Sequence, residues 1–330
     1  MRTLLSRCGI FFAFIAIALT SESLANTPLS RPDPLLIEYP EDEPPSWREI
    51  QLGKTLFFDP RLSHDHSRSC ASCHNPELGF GDGLPLSPGS DGQPLGRHTP
   101  SIYNLAWGSV FFWDGRAATL EEQALMPIVA EAEMNLPMAV LQERLTAVAH
   151  YRNEFNAVYE EGLTEETIGR ALASFMRAIV SDNSPFDRHL AGDKNALGPE
   201  AKRGLALFVG KGRCIECHSG ANLTDDSFHN LGLGGDDPGR AEVVDAPHLR
   251  GAFKTPGLRN VTLSAPYMHD GSLPNLLSVL EFYNRGGGEG HNRSDLIQPL
   301  NLTQRDINDL LAFMGALESP ILIKRPEIPR

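Results

Sequence analysis

The chain has 330 residues, of which 42 are acidic and 29 are basic, so its formal net charge is −13. An acidic surface disfavours binding to nucleic acid and to anionic membranes, and it could attract a basic electron carrier at low ionic strength. The length predicts two domains rather than one.

The amino terminus has the three parts of an export signal. A basic start is followed by an uncharged apolar run over residues 10–19, and small residues at 23–25 provide a cleavage site before Asn26. The apolar run is too short to cross a bilayer core of ~30 Å. We therefore predict that residues 1–25 are a cleavable signal peptide and that the mature protein is periplasmic, without a membrane anchor.

The next segment, residues 26–46, contains six prolines and several acidic residues. Such a composition predicts an extended arm rather than a helix or a strand. Ordered structure is expected from Trp47 onwards, beginning with a short helix over residues 51–58. A Gly-x-x-Leu-Phe pattern occurs in this helix, at residues 53–57, and again at residues 204–208.

The sequence contains two Cys-x-x-Cys-His pentads, at residues 70–74 and 214–218. This pattern is the attachment signature of a c-type haem, in which both thiols bind the haem vinyl groups and the histidine coordinates the iron. The predicted attachment residues are Cys70, Cys73, Cys214 and Cys217, and the predicted axial ligands are His74 and His218. The remaining cysteine, Cys8, lies in the predicted signal peptide.

A disulfide within each pair and a zinc ribbon are the alternatives for these cysteines. Zinc ribbons place their two cysteine pairs roughly 15–20 residues apart. Here most of the chain separates Cys73 from Cys214. Export from the cytoplasm also favours haem attachment. The pentads therefore predict two covalently bound haem c groups.

Other short motifs also occur twice. Residues 99–104 (TPSIYN) correspond to residues 255–260 (TPGLRN), and Asp-Gly follows ten residues after each final asparagine. The residue before Asp-Gly is Trp113 in the first copy and His269 in the second. Matching motifs at a fixed spacing indicate an internal repeat. The chain is therefore interpreted as two related units, each with one haem.

Several segments between these motifs have the apolar spacing of helices. Residues 136–151 carry an amphipathic stripe, and a further helix is predicted after Thr164, which is a suitable N-cap. In the second unit, residues 276–283 and 303–317 have helical patterns. Strand patterns are nearly absent.

These patterns together predict a mostly α fold of two tandem cytochrome c-like domains, each built around one covalently attached haem c. The first domain is expected over residues 47–183. The second is expected over residues 184–330 and includes a carboxy-terminal tail. Short helices connected by long loops rich in glycine and proline are typical of small haem-centred domains.

The chemistry of each haem depends on the ligand opposite its histidine. A haem with two protein ligands carries electrons, whereas a haem with an open position can bind and activate peroxide or oxygen. Residue type and spacing do not choose among the candidates for this second ligand. These are His64, His66, His98, Met134, Met268, His269, Tyr283 and His291.

Several motifs, in the same order along the chain, resemble the bacterial di-haem cytochrome c peroxidase family, which also contains MauG. They are residues 56–63 (LFFDPRLS), the first pentad, residues 112–116 (FWDGR), residues 255–260 (TPGLRN) and residues 267–271 (YMHDG). The similarity extends from residue 47 to residue 318. It implies that the first haem is the peroxide site and that the second haem takes in and stores electrons.

The resemblance also implies roles for individual residues. His74 and His218 match the proximal ligands, and Trp113 matches a tryptophan that lies between the haems. Glu133 matches a distal glutamate, which can move a proton from the inner to the outer peroxide oxygen. Gln123 matches a nearby polar position.

Two positions depart from the usual pattern of the family. Ser90 stands where a distal histidine would close the peroxide haem, so we expect that haem to be permanently open, with His98 as the alternative ligand. Tyr283 stands where a methionine would ligate the second haem. A phenolate favours higher oxidation states of iron than methionine sulfur does. Both departures resemble MauG.

The resemblance further implies a calcium ion between the domains. Ser264 and Pro266 match the positions whose carbonyl groups bind this ion. At the third position, His98 replaces an amide side chain. Because an imidazole is a poor calcium ligand beside oxygen donors, calcium is only a candidate cofactor in this interpretation.

Three functional hypotheses follow. The first is a periplasmic peroxidase that reduces hydrogen peroxide to water with electrons from a small redox protein, either a c-type cytochrome or a cupredoxin. The second is a MauG-like oxidase that uses peroxide to modify side chains of a partner protein. The third, a di-haem electron carrier without catalysis, is disfavoured by the missing distal histidine, because a simple carrier has both axial positions filled.

Overall fold

The computed structural model of the protein describes residues 29–40 and 43–330. Its helices are α1 (Trp47–Phe57), α2 (Cys70–Cys73), α3 (Leu120–Val129), α4 (Met138–Ala147), α5 (Ala149–Val158), α6 (Glu165–Arg177), α7 (Pro185–Leu190), α8 (Pro199–Val209), α9 (Arg240–Val243), α10 (Leu276–Asn284) and α11 (Gln304–Gly315). Strands β1 (Phe228–His229) and β2 (Phe253–Lys254) pair antiparallel. The predicted signal peptide lies outside the described residues.

The prediction of a mostly α protein is confirmed, because β1 and β2 are the only strands that the described part of the chain contains. Thr164 caps α6 as predicted, and its hydroxyl accepts a hydrogen bond from the Thr167 N–H at 3.2 Å. Helices α10 and α11 occupy the two predicted segments of the second unit. Within residues 29–40 and 43–330, no helix has the length and apolar character needed to span a bilayer.

The prediction of one helix over residues 136–151 is wrong, because this segment contains two helices. Val148 has an extended backbone (φ −90°, ψ 115°) and separates α4 from α5. The break turns Tyr151 inward, where it is fully buried and its hydroxyl donates a hydrogen bond to Asp59. The apolar stripe correctly indicates which residues are buried, but it does not show that the chain changes direction.

The two Gly-x-x-Leu-Phe motifs build equivalent helix crossings. Helix α1 packs on α6 through Gly53, and α8 packs on α11 through Gly204. A Cβ atom would lie 1.7 Å from the Ala171 carbonyl oxygen at the first crossing and 2.0 Å from the Asp309 carbonyl oxygen at the second. Glycine is required at both positions because it alone lets the two backbones approach this closely.

The two Thr-Pro segments end in equivalent asparagines. Asn104 and Asn260 both have left-handed backbone, with φ of 57° and 56°. The side-chain oxygen of Asn104 accepts a hydrogen bond from the Ser181 N–H at 2.6 Å, and that of Asn260 accepts one from the Ser319 N–H at 2.6 Å. Each asparagine thus ties its segment to the chain just after the long helix α6 or α11. The repeat seen in the sequence is therefore also a repeat in structure.

The structure has two large hydrophobic cores, one in each half of the chain. The first is formed by buried residues between 52 and 179. The second is formed by buried residues between 186 and 317, together with Leu29 of the amino-terminal arm. Each core includes one of the glycine helix crossings.

The two ends of the chain cross over between these cores. Leu29 packs in the second core, whereas the tail contacts the first core through Ile321, Ile323 and Ile328. The Arg61 guanidinium also donates a hydrogen bond to the Pro329 carbonyl oxygen at 2.5 Å. The sequence prediction grouped this tail with the second domain, but these three isoleucines are partly buried against the first core. Apolar burial is non-directional, so local sequence does not specify which core an end covers.

We expect Gly53→Ala to destabilise the haem-loaded protein by about 2 kcal/mol or more, because the added methyl group forces α1 away from α6. Thermal unfolding measures this loss. Gly315→Ala is the matched control, since nothing lies within 4 Å of a Cβ at that position in α11. Equal melting temperatures for the Gly53→Ala variant and the unmodified protein would show that the close crossing does not exist.

Candidate functional site

A cavity of about 1340 Å³ lies between the two halves of the structure. The pentad residues that line it are Cys70, Cys73, His74, Cys214, Cys217 and His218. The other predicted site residues that line it are Trp113, Gln123, Glu133 and Tyr283. Tertiary structure therefore brings every predicted site residue to one cavity, although they are distributed over both units.

The two pentad histidines have the same hydrogen bond on the ring nitrogen that faces away from a ligand. His74 Nδ1 lies 3.0 Å from the Phe80 carbonyl oxygen, and His218 Nδ1 lies 2.9 Å from the Leu223 carbonyl oxygen. A carbonyl accepts only from a protonated Nδ1, so Nε2 is left as the metal-binding atom. Burial lowers the pKa of both imidazoles, which keeps them neutral and able to coordinate iron.

The four pentad cysteines are free thiols in the structure. Burial raises the pKa of Cys70 and Cys214 to about 12, so both are protonated thiols when no metal is bound. In the described part of the chain, the one group of three side chains close enough to hold a metal ion is Cys217, Asp225 and His229. Cys70 and Cys73 thus have no third ligand nearby among the described residues, so the first pentad fits haem attachment better than zinc.

Two polar side chains of the first half line the cavity, and Glu133 lies near the cysteines of the first pentad. Gln123 lies on α3, and Glu133 lies in the turn after that helix, where its N–H donates to the Ala130 carbonyl oxygen at 3.0 Å. Burial raises the pKa of Glu133, and the charge of Arg116 opposes this effect. The side-chain oxygen of Gln123 is buried without a hydrogen-bond partner among the described residues. Such an atom indicates that a bound group or water completes its hydrogen bonding.

Trp113 lies where the two halves of the structure meet. Its indole N–H donates to the His98 carbonyl oxygen at 2.8 Å, and its own carbonyl oxygen accepts from the Lys254 N–H at 2.7 Å. The His98 N–H in turn donates to the His269 carbonyl oxygen at 2.7 Å. Trp113 is thus bonded directly to β2. Through His98 it is also linked to His269, which occupies the equivalent position in the second copy of the repeat.

Tyr283 lies in the last turn of α10 and lines the cavity beside the second pentad. Its hydroxyl has no hydrogen bond to any residue that the structure describes. Burial raises the pKa of Tyr283, and the neighbouring Cys214 and Cys217 thiols add to this effect. The hydroxyl is therefore neutral unless a cation lies beside it.

Ser90 does not line the cavity. Its hydroxyl donates to the Glu131 carbonyl oxygen at 2.5 Å, and its N–H donates to the Ala132 carbonyl oxygen at 2.8 Å. These bonds attach the Ser90 loop to the turn that carries Glu133. Among the candidate second ligands, His64 and His66 are also absent from the cavity wall, whereas it includes His98, Met134, Met268, His269, Tyr283 and His291.

Two residues of the cavity wall were not singled out by sequence reasoning. The Arg116 guanidinium lies 3.6 Å from the centre of the Phe112 ring and donates to the Asp114 carboxylate at 3.0 Å. The position of Arg116 at the end of the FWDGR motif is a signal that could have identified it. His229 has a buried Nε2 without a hydrogen-bond partner in the described structure, and it reaches the cavity only through the pairing of β1 with β2. No sequence pattern indicates that pairing.

Comparison with known proteins decides the family. The family model for di-haem cytochrome c peroxidase matches residues 48–195. The methylamine utilization protein MauG of Methylorubrum extorquens is 46% identical over 304 residues, which cover 90% of this chain and 86% of that protein. The chain belongs to the di-haem cytochrome c peroxidase family.

Other members of the family show the same extent of similarity. The cytochrome c551 peroxidase of Pseudomonas aeruginosa is 34% identical over 91% of this chain and 86% of its own length. A crystal structure of a MauG-like protein associated with microbial copper homeostasis has a TM-score of 0.78, with 32% identity over 91% of this chain and 96% of that chain.

Membership of the di-haem cytochrome c peroxidase family makes the protein an oxidoreductase that acts on peroxide, and it implies two haem c groups. The cavity accommodates this requirement, since each half supplies two free thiols and a neutral imidazole. The hypothesis of an electron carrier without catalysis is therefore not retained. The roles of the individual site residues stay predictions.

Removal of the Cys70 and Cys73 thiols by a double alanine substitution should leave one covalent haem per chain instead of two, because thioether bonds form only at cysteine. The same result is expected for the Cys214 and Cys217 pair. Pyridine haemochrome absorbance per chain, measured after acid–acetone extraction of unattached haem, gives the ratio. Two retained haems in either double variant would contradict attachment at that pentad.

Proposed function

We propose that the protein is a periplasmic peroxidase that reduces hydrogen peroxide to water with electrons from a small redox protein, either a c-type cytochrome or a cupredoxin. The observation that supports this proposal most strongly is the shared cavity. It contains two histidines in equivalent settings, but Glu133 lies near the cysteines of the first pentad, whereas Tyr283 lies beside those of the second. Two units with the same attachment chemistry and different surroundings suit two different tasks.

His74 and His218 would hold the two haem irons, which supply one-electron redox chemistry and peroxide activation when bound. The domain over residues 47–183 would then contain the peroxide site. The domain over residues 184–330 would receive and store electrons. This division of tasks follows the family resemblance, and the predicted export signal would place the enzyme in the periplasm.

Glu133 would take a proton from one peroxide oxygen and return it to the other, so that the departing oxygen leaves as water. A carboxyl group performs both steps best when its pKa is close to the working pH. Burial moves the pKa of Glu133 in that direction. Gln123, whose buried oxygen has no partner in the described structure, would orient the substrate or the water that forms.

Trp113 would connect the two halves for electron transfer. Its indole is held by the His98 carbonyl oxygen, and its carbonyl oxygen is held by β2 of the second half. The first contact would hold the ring, and the second would hold its main chain, where the two halves meet. A fixed aromatic ring at this boundary shortens each electron-transfer step between the two sites.

Ser90 supports a peroxide site that is open without prior reduction. The hydroxyl and the N–H of Ser90 are both bonded to the turn that carries Glu133, and Ser90 itself does not line the cavity. A serine in this position offers no imidazole that could ligate the first haem iron. Peroxide would therefore react with the fully oxidised protein.

A peroxide-dependent oxidase that modifies side chains of a partner protein is the second candidate. Tyr283 favours it, because a tyrosine ligand stabilises the higher oxidation states needed to oxidise a protein side chain. The 46% identity to the MauG of Methylorubrum extorquens points in the same direction. The two candidates share the peroxide site and differ in where the oxidising equivalents go.

One experiment tests the proposal and separates the candidates. Stoichiometric hydrogen peroxide is added to the oxidised holoprotein, and both haem spectra are followed; they should change without prior reduction. Reduced c-type cytochrome or reduced cupredoxin is then supplied with excess peroxide, and continuous oxidation of either donor is expected. A spectrum that changes only after one electron has been added would show that the first haem is closed.

If no donor is oxidised and a co-purifying periplasmic protein shows mass shifts, the oxidase hypothesis is supported and the peroxidase hypothesis is rejected. Absence of any reaction with peroxide in either state would overturn both candidates.

Glu133→Gln should slow peroxide cleavage by ~10²-fold or more, because the amide cannot move the proton between the peroxide oxygens. Stopped-flow absorbance of the holoprotein after mixing with peroxide measures the rate. Glu131→Gln, two residues away and exposed, should react at the unmodified rate. Equal rates for both variants would remove Glu133 from the peroxide site.

Tyr283→Phe should remove an axial ligand from the second iron and leave it high-spin, because phenylalanine retains the ring but has no oxygen. Electron paramagnetic resonance of the oxidised holoprotein reports the spin state. Tyr267→Phe is the matched control, since Tyr267 also lines the cavity but its hydroxyl donates to the Val261 carbonyl oxygen at 2.8 Å. An unaltered Tyr283→Phe spectrum would rule out ligation by Tyr283.

A further inference from the structure

His98 joins the two halves of the structure through its main chain. Its N–H donates to the His269 carbonyl oxygen at 2.7 Å, and its carbonyl oxygen accepts from the Trp113 indole N–H at 2.8 Å. Trp113 and His269 occupy equivalent positions in the internal repeat. The main chain of His98 is therefore hydrogen-bonded to both of these residues. Any shift of His98 would also move the indole of Trp113.

The imidazole of His98 closes the loop that leads to it. Only 5% of the residue is exposed, and Nδ1 lies 3.0 Å from the Leu84 carbonyl oxygen and 3.1 Å from the Pro85 carbonyl oxygen. Both acceptors are carbonyl groups, so Nδ1 carries the proton and shares it between them. The side chain thus clamps the start of the loop to its end.

The clamped loop is also the surface on which the second half packs. A Cβ atom on Gly271 would lie 2.4 Å from the Pro85 carbonyl oxygen, and Gly271 has a left-handed backbone with φ of 63°. Gly271 belongs to the Asp-Gly motif that follows His269. The imidazole of His98 therefore holds Pro85 in the place that this close approach requires.

The chemistry of these groups does not fit the calcium ion that the family resemblance implies. Two of the expected oxygen donors are available, since the carbonyl oxygens of Ser264 and Pro266 accept no hydrogen bond within the described structure. Both residues line the cavity with His98. Calcium prefers six to eight oxygen ligands. The third position offers an imidazole instead of an oxygen donor, and the Nδ1 atom of that imidazole is already bonded to Leu84 and Pro85.

We propose that His98 takes the place of calcium at the boundary between the two halves. Its imidazole clamps the 84–98 loop while its main chain positions Trp113 against the second half, so the holoprotein needs no calcium. His98 is a positioning residue in this role, because it acts on the reaction through Trp113. The part of the proposal that concerns electron transfer rests on the proposed role of Trp113, whereas the part that concerns calcium does not.

The test begins with the unmodified holoprotein, purified with both haems and dialysed against EGTA. Its calcium content by atomic emission should be far below one ion per chain. Its melting temperature and its two haem spectra should be the same in EGTA and in millimolar calcium chloride. A melting temperature that falls in EGTA and recovers with calcium would overturn the proposal, and this arm requires no variant to fold.

Two substitutions then distinguish a clamp from ordinary packing. His98→Asn provides an oxygen donor and removes the imidazole clamp, so in EGTA its melting temperature should fall by ~5 °C, and calcium should restore it. His98→Ala should show the fall without the restoration. His64→Asn, on an exposed histidine outside the cavity, is the control and should match the unmodified protein in both buffers.

The proposal would be overturned if calcium raised the melting temperature of neither His98 variant. It would also be overturned if neither variant melted at a lower temperature than the unmodified protein in EGTA. Failure of the peroxidase proposal would leave these melting temperatures and calcium contents unaffected. The two proposals can therefore fail separately.

Discussion

The whole arrangement depends on an asparagine in left-handed conformation that closes each half of the structure. Such a backbone costs little for asparagine, because its short side chain can replace the lost backbone hydrogen bonds. Asn104 and Asn260 use it to attach the Thr-Pro segments to the ends of α6 and α11. Asn104 also exchanges hydrogen bonds with Asn222 of the other half, at 3.1 and 2.9 Å. Asparagine side chains therefore hold the Thr-Pro segment in each half, and they also form hydrogen bonds between the two halves.

The duplicated scaffold has equal attachment motifs and unequal surroundings. Both pentad histidines make the same Nδ1 hydrogen bond to a backbone carbonyl group, so their electronic character is matched on the proximal side. The surroundings of the two pentads therefore differ through residues elsewhere in the cavity. Glu133 provides an acid near the first pentad, and Tyr283 provides an uncommitted hydroxyl beside the second. The repeat thus conserves attachment and varies the surroundings.

The boundary between the halves is held by directional contacts rather than by a continuous apolar core. Arg97 bonds to Asp114 in its own half and to Asp237 in the other, at 2.5 and 2.7 Å. Asp226 receives hydrogen bonds from both Ser109 and Lys254. Ion pairs of this kind contribute little net stability, because desolvation offsets their attraction. These ion pairs instead restrict geometry, because they can all form only in one relative placement of the two halves around the cavity.

The sequence by itself determined the two attachment motifs, the internal repeat and the helical class, because these depend on residue type and short spacing. The predicted roles of the other site residues followed from the family resemblance instead. Only the tertiary structure decided that Val148 divides a helix, that the tail covers the first core, and that His98 and Arg116 face the same cavity as the pentads. Those features arise from contacts between residues far apart in the chain. Spacing carries no information about such contacts, since hydrophobic burial is non-directional and a hydrogen bond forms wherever the fold brings its two groups together.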